Sequence, residues 1–244
     1  FVALPNNFVK EWIENNYQKN ILGVLRNFDV SAKKLEFIVT NQEPKTLAKK
    51  HLEVDFNKID NQAGLDLARV DPDTNLNPRY TLDSFIVGSS NELAHAAALA
   101  IVQEVGTKYN PFFIYGGVGL GKTHLIQAIG NEIKIQYKGK YRPRYVSSEK
   151  FTSDVVWGIR NKRMEDMKKR YRDCDVLIID DIQFIGGKEK TEEEFFHTFN
   201  TLYEGNKQII ISSDRPPQSI PTLEERLRSR FDGGLTADIG YPEY

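Results

Sequence analysis

The octet Gly116-Gly117-Val118-Gly119-Leu120-Gly121-Lys122-Thr123 restricts the possible folds of this chain more than any other feature. It follows an apolar run, 112–115, and precedes an amphipathic stretch carrying Leu125, Ile126, Ile129 and Ile133. Strand, glycine loop and helix in that order fit the pattern G-x-x-x-x-G-K-[ST]. The glycines let the main chain wrap around an anion with N–H groups pointing inward, and the helix brings its N-terminal donors and positive dipole end to the same phosphates. Gly116, Gly119, Gly121, Lys122 and Thr123 are therefore candidate nucleotide-binding residues. Lys122 is placed to reach the β and γ phosphates, and the Thr123 hydroxyl to sit on Mg2+. The plainer reading, a glycine-rich turn with an exposed lysine, does not account for the strand before it and the helix after it.

From residue 76 onward the sequence alternates strand and helix. Runs at 112–115, 145–147, 176–179, 209–212 and 235–239 read as short buried strands, and 122–137, 148–161, 164–172 and 191–204 as helices. This alternation predicts an α/β fold, a parallel sheet between two layers of helices. The apolar strand at 176–179 ends in Asp180-Asp181, which puts two carboxylates at the sheet edge where ligands bind in such folds. Asp180 is the candidate Mg2+ ligand and Asp181 the candidate for polarising an attacking water. The strand at 208–212 ends in Ser213-Asp214. Asp214 reads either as a polar group sensing the γ-phosphate or as a turn former before Arg215-Pro216-Pro217. Further on, Arg226, Arg228 and Arg230 lie within five positions. Arg226 and Arg230 share a helix face. That face is either simply solvated or reaches a neighbouring subunit's phosphate.

The beginning of the chain is different. Residues 1–4 are apolar, Phe8, Val9, Trp12, Ile13 and Tyr17 recur at helical spacing, and 35–40 reads as a strand. This strand–helix–strand piece is expected to be part of a small α+β domain over 1–40. Between 41 and 75 no period is sustained, which predicts a flexible linker, with packing onto a neighbour as the alternative. The remainder, 76–244, is the expected ATP-binding core. The chain starts at Phe1 without a methionine and stops just after a strand-like run, so it is expected to be a piece of a longer protein.

Overall charge names no partner, since 33 Lys+Arg stand against 34 Asp+Glu. No signal peptide is visible, and no apolar run approaches the ~20 residues of a membrane span. The single cysteine, Cys174, excludes an intramolecular disulfide and fits a reducing, cytoplasmic setting. Locally the balance shifts: 134–172 holds 13 basic and 4 acidic residues. Interleaved with aromatics, it reads equally as solvated helix faces or as a surface for nucleic-acid phosphates.

Phosphate loop, paired acids, polar strand end and late arginine helix, in this order, resemble an AAA+ ATPase. The wording Leu76-Asn77-Pro78-Arg79-Tyr80-Thr81-Leu82-Asp83-Ser84-Phe85-Ile86-Val87-Gly88 and Ile178-Ile179-Asp180-Asp181-Ile182-Gln183-Phe184, with 115–124, 193–202 and 227–236, resembles the DnaA family of bacterial replication initiators. The resemblance is dense over 76–244, and residues 6–13 resemble the late part of that family's N-terminal interaction domain. It implies a P-loop AAA+ three-layer parallel sheet that binds ATP/ADP with Mg2+ and hydrolyses ATP weakly as an assembly switch. It implies an ATP-form oligomer on origin DNA, duplex opening, help in recruiting the replicative helicase, and a response to acidic phospholipids. By residue, it implies Val87 and Gly88 beside the adenine, Asp180, Asp181 and Asp214 serving Mg2+, hydrolysis and sensing, and Val156, Lys188 and Lys190 on single-stranded DNA. Arg230 is the implied finger toward the neighbour's ATP, with Arg226 in the same interface motif. Gly233 departs from the large aromatic common there, and the family's lid and double-strand-binding helix-turn-helix domain are not represented. A related AAA+ helicase loader or replication regulator is the alternative reading. A small-molecule P-loop kinase would have no use for Arg226 and Arg230 on an outward helix.

Overall fold

The computed structural model describes residues 2–4, 37–39 and 70–241. The chain divides into two compact units, 1–59 and 60–244. In the first, β1 (Val2–Leu4) and β2 (Phe37–Val39) pair in parallel, Ala3 opposite Ile38. The helix expected from Phe8 to Tyr17, and the linker as far as residue 69, lie outside the described residues.

The second unit is built on five parallel strands: β3 (Phe112–Gly116), β4 (Pro143–Ser147), β5 (Val176–Asp180), β6 (Gln208–Ser213) and β7 (Leu235–Ile239). Their spatial order is β4-β5-β6-β3-β7, so β3 lies between strands that come later in the chain. Central strands read as unbroken apolar runs because both faces of a parallel sheet are covered. Alternation sorts the side chains. Phe112, Ile114, Val176, Ile178 and Ile210 enter one core, while Phe113, Leu177, Ile179, Ile209 and Ile211 enter the other. The first core is closed by α1 (Glu92–Gln103) and α2 (Lys122–Gln136). The second is closed by α3 (Ser148–Arg160), α4 (Met164–Arg172), α5 (Glu189–Glu204) and α6 (Glu225–Asp232). This is the expected three-layer parallel sheet. Among the described residues no helix is long and apolar enough to cross a membrane.

Three details add to or shift the expected elements. Helix α1 was not expected from the sequence. Its buried stripe is Ala94, Ala97, Ala98, Ile101 and Val102, while Leu93 and Leu99 lie exposed, so the apolar contrast between its faces is weak. At the junction of the expected linker and core, Thr74 and Leu76 are buried, and the Thr74 carbonyl accepts from the Tyr145 N–H at 2.8 Å. Helix α5 begins at Glu189 rather than 191, so Lys188 is its N-terminal cap residue and Lys190 lies in its first turn.

Candidate nucleotide site and outward surfaces

Strand β3 delivers the glycine loop at the carboxyl edge of the sheet, between β6 and β7, where the strand order reverses and a crevice opens. Gly119 and Gly121 have φ of 80° and 92°, a left-handed conformation that glycine adopts without a Cβ penalty. A Cβ on Gly119 would meet nothing within 4 Å, so the main chain there faces open space; one on Gly121 would touch the Phe85 ring. Lys122 is only 8% exposed, and its Nζ donates to the carbonyls of Gly116 and Gly117 at 2.8 and 2.7 Å. The ammonium thus lies across the loop, held by neutral acceptors that a phosphate oxygen, a stronger acceptor for a cation, would displace.

Behind the loop, Asp180 is 4% exposed and fully engaged. Its Oδ2 accepts from the Thr123 hydroxyl and the Tyr145 hydroxyl, each at 2.8 Å, and its Oδ1 from the Ser212 hydroxyl. A hydroxyl and a carboxylate at hydrogen-bond distance form an all-oxygen donor set of the kind Mg2+ takes, completed in such sites by phosphates and water. Asp181 occupies the left-handed region at φ 56°, and its N–H donates to the Ser212 hydroxyl at 2.9 Å. Burial, reinforced by the adjacent Asp180 charge, raises the Asp181 carboxyl above its ordinary range. Asp214 shows the opposite direction. The Arg215 guanidinium holds both its oxygens, at 2.9 and 2.6 Å, and lowers it.

A cavity of about 420 Å³ gathers Gly119, Gly121, Lys122, Thr123, Asp181 and Asp214. Tyr80, Val118, His124, Gln183 and Phe184 complete its wall. Gln183 bridges the two acids, its amide N–H donating to Asp181 at 3.2 Å and its oxygen accepting the Asp214 N–H at 3.3 Å. His124 Nε2 lies 2.9 Å from the Thr81 carbonyl and its ring packs on Tyr80 and Phe85, fastening residues 80–85 to the start of α2. Tyr145 and Ser212, the partners of Asp180, carry no motif of their own. Val87 and Gly88 do not line this cavity. They are exposed, just beyond Phe85, where Asn91 braces the backbone by accepting the Gly88 N–H at 2.9 Å.

The remaining candidates lie on outward surfaces. Val156 is 39% exposed on α3, with Trp157 and Ile159 exposed beside it. Lys188 and Lys190 are exposed, and among the described residues Lys190 has only Glu193, at 3.6 Å, as an ionic partner. On α6, Leu227 and Phe231 enter the core, so Arg226 and Arg230 face outward. Arg228 folds back, donating to the Ile220 carbonyl at 2.8 Å. Arg226 is stacked over the Phe196 ring at 4.4 Å and paired with Glu224, whereas Arg230 has no side-chain partner among the described residues. One buried carboxylate ties these surfaces together. Glu192 on α5 accepts the N–H of Gly187 at 2.7 Å and that of Glu224 at 3.0 Å, bracing both the turn before Lys188 and the start of α6.

Comparison with known proteins agrees with this arrangement. A sequence model of the bacterial DnaA ATPase domain matches residues 76–238. Domain III of the replication initiation protein DnaA from Thermotoga maritima is 47% identical, with a TM-score of 0.66 over 69% of this chain and 70% of that one. A replication initiator DnaA bound to AMPPCP and single-stranded DNA is 47% identical, with a TM-score of 0.65 over 67% of this chain and 50% of its own. The present chain thus matches about half the length of that initiator. The DnaC helicase loader, 19% identical with a TM-score of 0.56 over 66% of this chain and 97% of its own, shares the fold alone.

Proposed function

From the premise that this chain belongs to the bacterial DnaA ATPase family, we propose that it is the ATP-binding core of an ATP-dependent initiator of chromosomal replication. ATP or ADP binds in the cleft after β3. The loop N–H groups and Lys122 hold the phosphates, and Thr123 and Asp180 would hold Mg2+, which neutralises phosphate charge when bound. Asp181, kept partly basic by burial and by Asp180, orients and deprotonates the attacking water. Asp214 reports the state of the γ position through Gln183. Residues 85–88 carry the base side of the nucleotide. Hydrolysis is slow and acts as a switch on assembly rather than as a source of turnover.

In the ATP form, Arg230 reaches the nucleotide of an adjacent copy, with Arg226 in the same interface. The oligomer holds single-stranded origin DNA along Val156, Lys188 and Lys190, opens the duplex and helps bring in the replicative helicase. Double-strand recognition falls to parts of the longer relatives that this chain does not match. A cytoplasmic location and an encounter with acidic phospholipids complete the reading. The observation that carries it is the buried Lys122 ammonium laid across the loop, with the Thr123–Asp180 pair directly behind. It favours the initiator over the helicase-loader reading only together with the 47% identity to DnaA.

Fluorescence anisotropy of a labelled single-stranded oligonucleotide, with the chain saturated in ATP or in ADP, tests the proposal. Tighter binding in ATP is expected. Equal binding in both nucleotides would sink the switch.

A further inference from the structure

The second large cavity, about 590 Å³, opens at the other end of the sheet, around Pro143 at the start of β4. Ser147, at the far end of that strand, pairs with Asp180. The two sites are therefore separated by the length of β4, roughly 13 Å of strand. Four stretches of chain build the walls: residues 73–74, the end of α2 with its following turn, residues 141–144, and α4 with the two residues after it. Most of the lining falls in the 134–172 stretch, whose 13 basic and 4 acidic residues the nucleotide cleft does not use.

Its walls hold Lys134, Arg142, Arg144, Lys169 and Arg170. Three of these are engaged from outside the cavity: Lys134 by Asp71, Arg142 by Asp175, and Arg170 by Asp154. Arg144 and Lys169 have no hydrogen-bonded or ionic partner among the described residues. Arg144 is half-buried on an edge strand, close enough to the buried Tyr171 and Cys174 for its charge to act on both. An anion entering the cavity would give both cations a charge-assisted partner that the described residues do not supply. Acids also line the cavity. Asp166 is taken by Arg163 at 2.5 Å, while the side chains of Asp73 and Asp173 have no cationic partner among the described residues. Two open cations and two open carboxylates do not suit a bare anion. They suit a ligand with a phosphate at one end and N–H or O–H donors at the other.

We propose that this cavity binds a nucleotide unit outside the phosphate loop, with Arg144 and Lys169 on its phosphate and Asp73 and Asp173 accepting from its sugar or base. The same chemistry is offered by a free nucleotide and by one residue of a nucleic-acid strand, and the test separates these sources. The chain carrying Lys122→Ala, so that the loop contributes little, is titrated with AMP by calorimetry and with a labelled mixed-sequence oligonucleotide at two salt concentrations. Adding Arg144→Gln and Lys169→Gln should weaken AMP by about tenfold or more, the value of losing charge-assisted bonds to phosphate. If the oligonucleotide weakens as well and its salt dependence flattens, the unit belongs to a strand. If oligonucleotide binding holds while AMP binding is lost, the ligand is a free nucleotide. No saturable AMP binding, or unchanged binding of both probes in the double variant, overturns the site. Should the Arg144 change disturb folding, Lys169→Gln alone, at an exposed position, must still weaken AMP, and unaltered affinity there is equally fatal.

Discussion

The nucleotide cleft and the outward face of α6 both display charges that the sequence marks, but the charges are satisfied in opposite ways. In the cleft every marked group is already engaged within the chain. Lys122 holds two loop carbonyls, Asp180 accepts from three hydroxyls, Asp181 accepts from Gln183, and Asp214 from Arg215. On α6, Arg230 has no partner among the described residues. A ligand entering the cleft must replace existing bonds with stronger ones, so a substitution there changes what this chain does by itself. Arg230 loses nothing internal when removed. Its effect should emerge only where a second molecule supplies the anion. Arg226, stacked on Phe196 and paired with Glu224, stands between these extremes.

The largest effect expected from that contrast is at Lys122. Lys122→Ala should weaken ATP by about a hundredfold or more, since a buried charge-assisted pair to the phosphates is lost. Equilibrium binding of a labelled ATP measures it, and unchanged affinity would remove the phosphate-loop assignment. Next comes Asp181→Asn. Asn tolerates the left-handed backbone there, so ATP should stay bound while hydrolysis drops by about a hundredfold, the usual worth of a positioned base. A raised carboxyl pKa means that the charged form is disfavoured in the fold, so its cost to stability is absent at low pH and grows as pH rises past the ordinary value of about 3.9. The Asn variant should therefore melt no lower than the parent at pH 7. A lower melting temperature would contradict the environment described for Asp181.

Arg230→Ala is the direct test of the opposite regime. Monomeric ATP affinity and melting temperature should match the parent, while the ATP-dependent increase in mass seen by light scattering disappears. Arg230→Lys should restore it only in part, because the planar fork is lost. Arg226→Ala should differ by also lowering the melting temperature slightly, through loss of its stacking on Phe196. Loss of ATP affinity in monomeric Arg230→Ala would mean that the residue serves its own chain and would dissolve the contrast.

Much of this was legible in the sequence for a physical reason. In a parallel sheet the buried strands are written as apolar runs, and the phosphate loop needs its glycines and lysine at fixed spacing. The strands at 176–179 and 209–212 and the Lys122, Thr123 and Asp180 constellation could therefore be placed from sequence alone. What could not be read depends on neighbours distant in the chain. Tyr145 and Ser212 hold Asp180 from two other strands, and nothing local distinguishes that tyrosine from a core aromatic. Helix α1 buries mostly alanine, which barely registers in an apolar count. Residues 74 and 76 pack through single side chains without a period. Glu192 stands among other acids at the start of α5, and only the fold sets its two oxygens on the N–H groups of Gly187 and Glu224.

The smaller effects concern the surface between the two regimes. Changing Lys188 and Lys190 together to Ala should weaken single-stranded DNA by about tenfold at low salt. It should reduce the slope of log affinity against log salt by about 1.4, as expected if each lysine neutralises one phosphate of a single strand. ATP affinity should not move, and an unchanged slope would put the DNA surface elsewhere.

Glu192→Gln should have the smallest functional effect of all, and it probes whether α6 and the lysine turn are held as one piece. Glutamine keeps the length of the side chain and one acceptor, so one of the two backbone N–H groups, of Gly187 or Glu224, must lose its partner or face an amide N–H instead. The pair sits in a buried position, where an unsatisfied donor costs about 1–3 kcal/mol. A melting temperature lowered by a few degrees is the expected result. Because the lost bond belongs either to the turn before Lys188 or to the cap of α6, hydrogen exchange should rise at one or both segments while the amides of the phosphate loop keep their protection. Function should then fall by only a few-fold, in DNA binding and in assembly but not in monomeric ATP affinity. Uniform loosening that includes the phosphate loop would mean that the cleft and the outward surfaces are not mechanically separable. The opposition between internally satisfied and externally directed charges would then be a description of positions and not of behaviour.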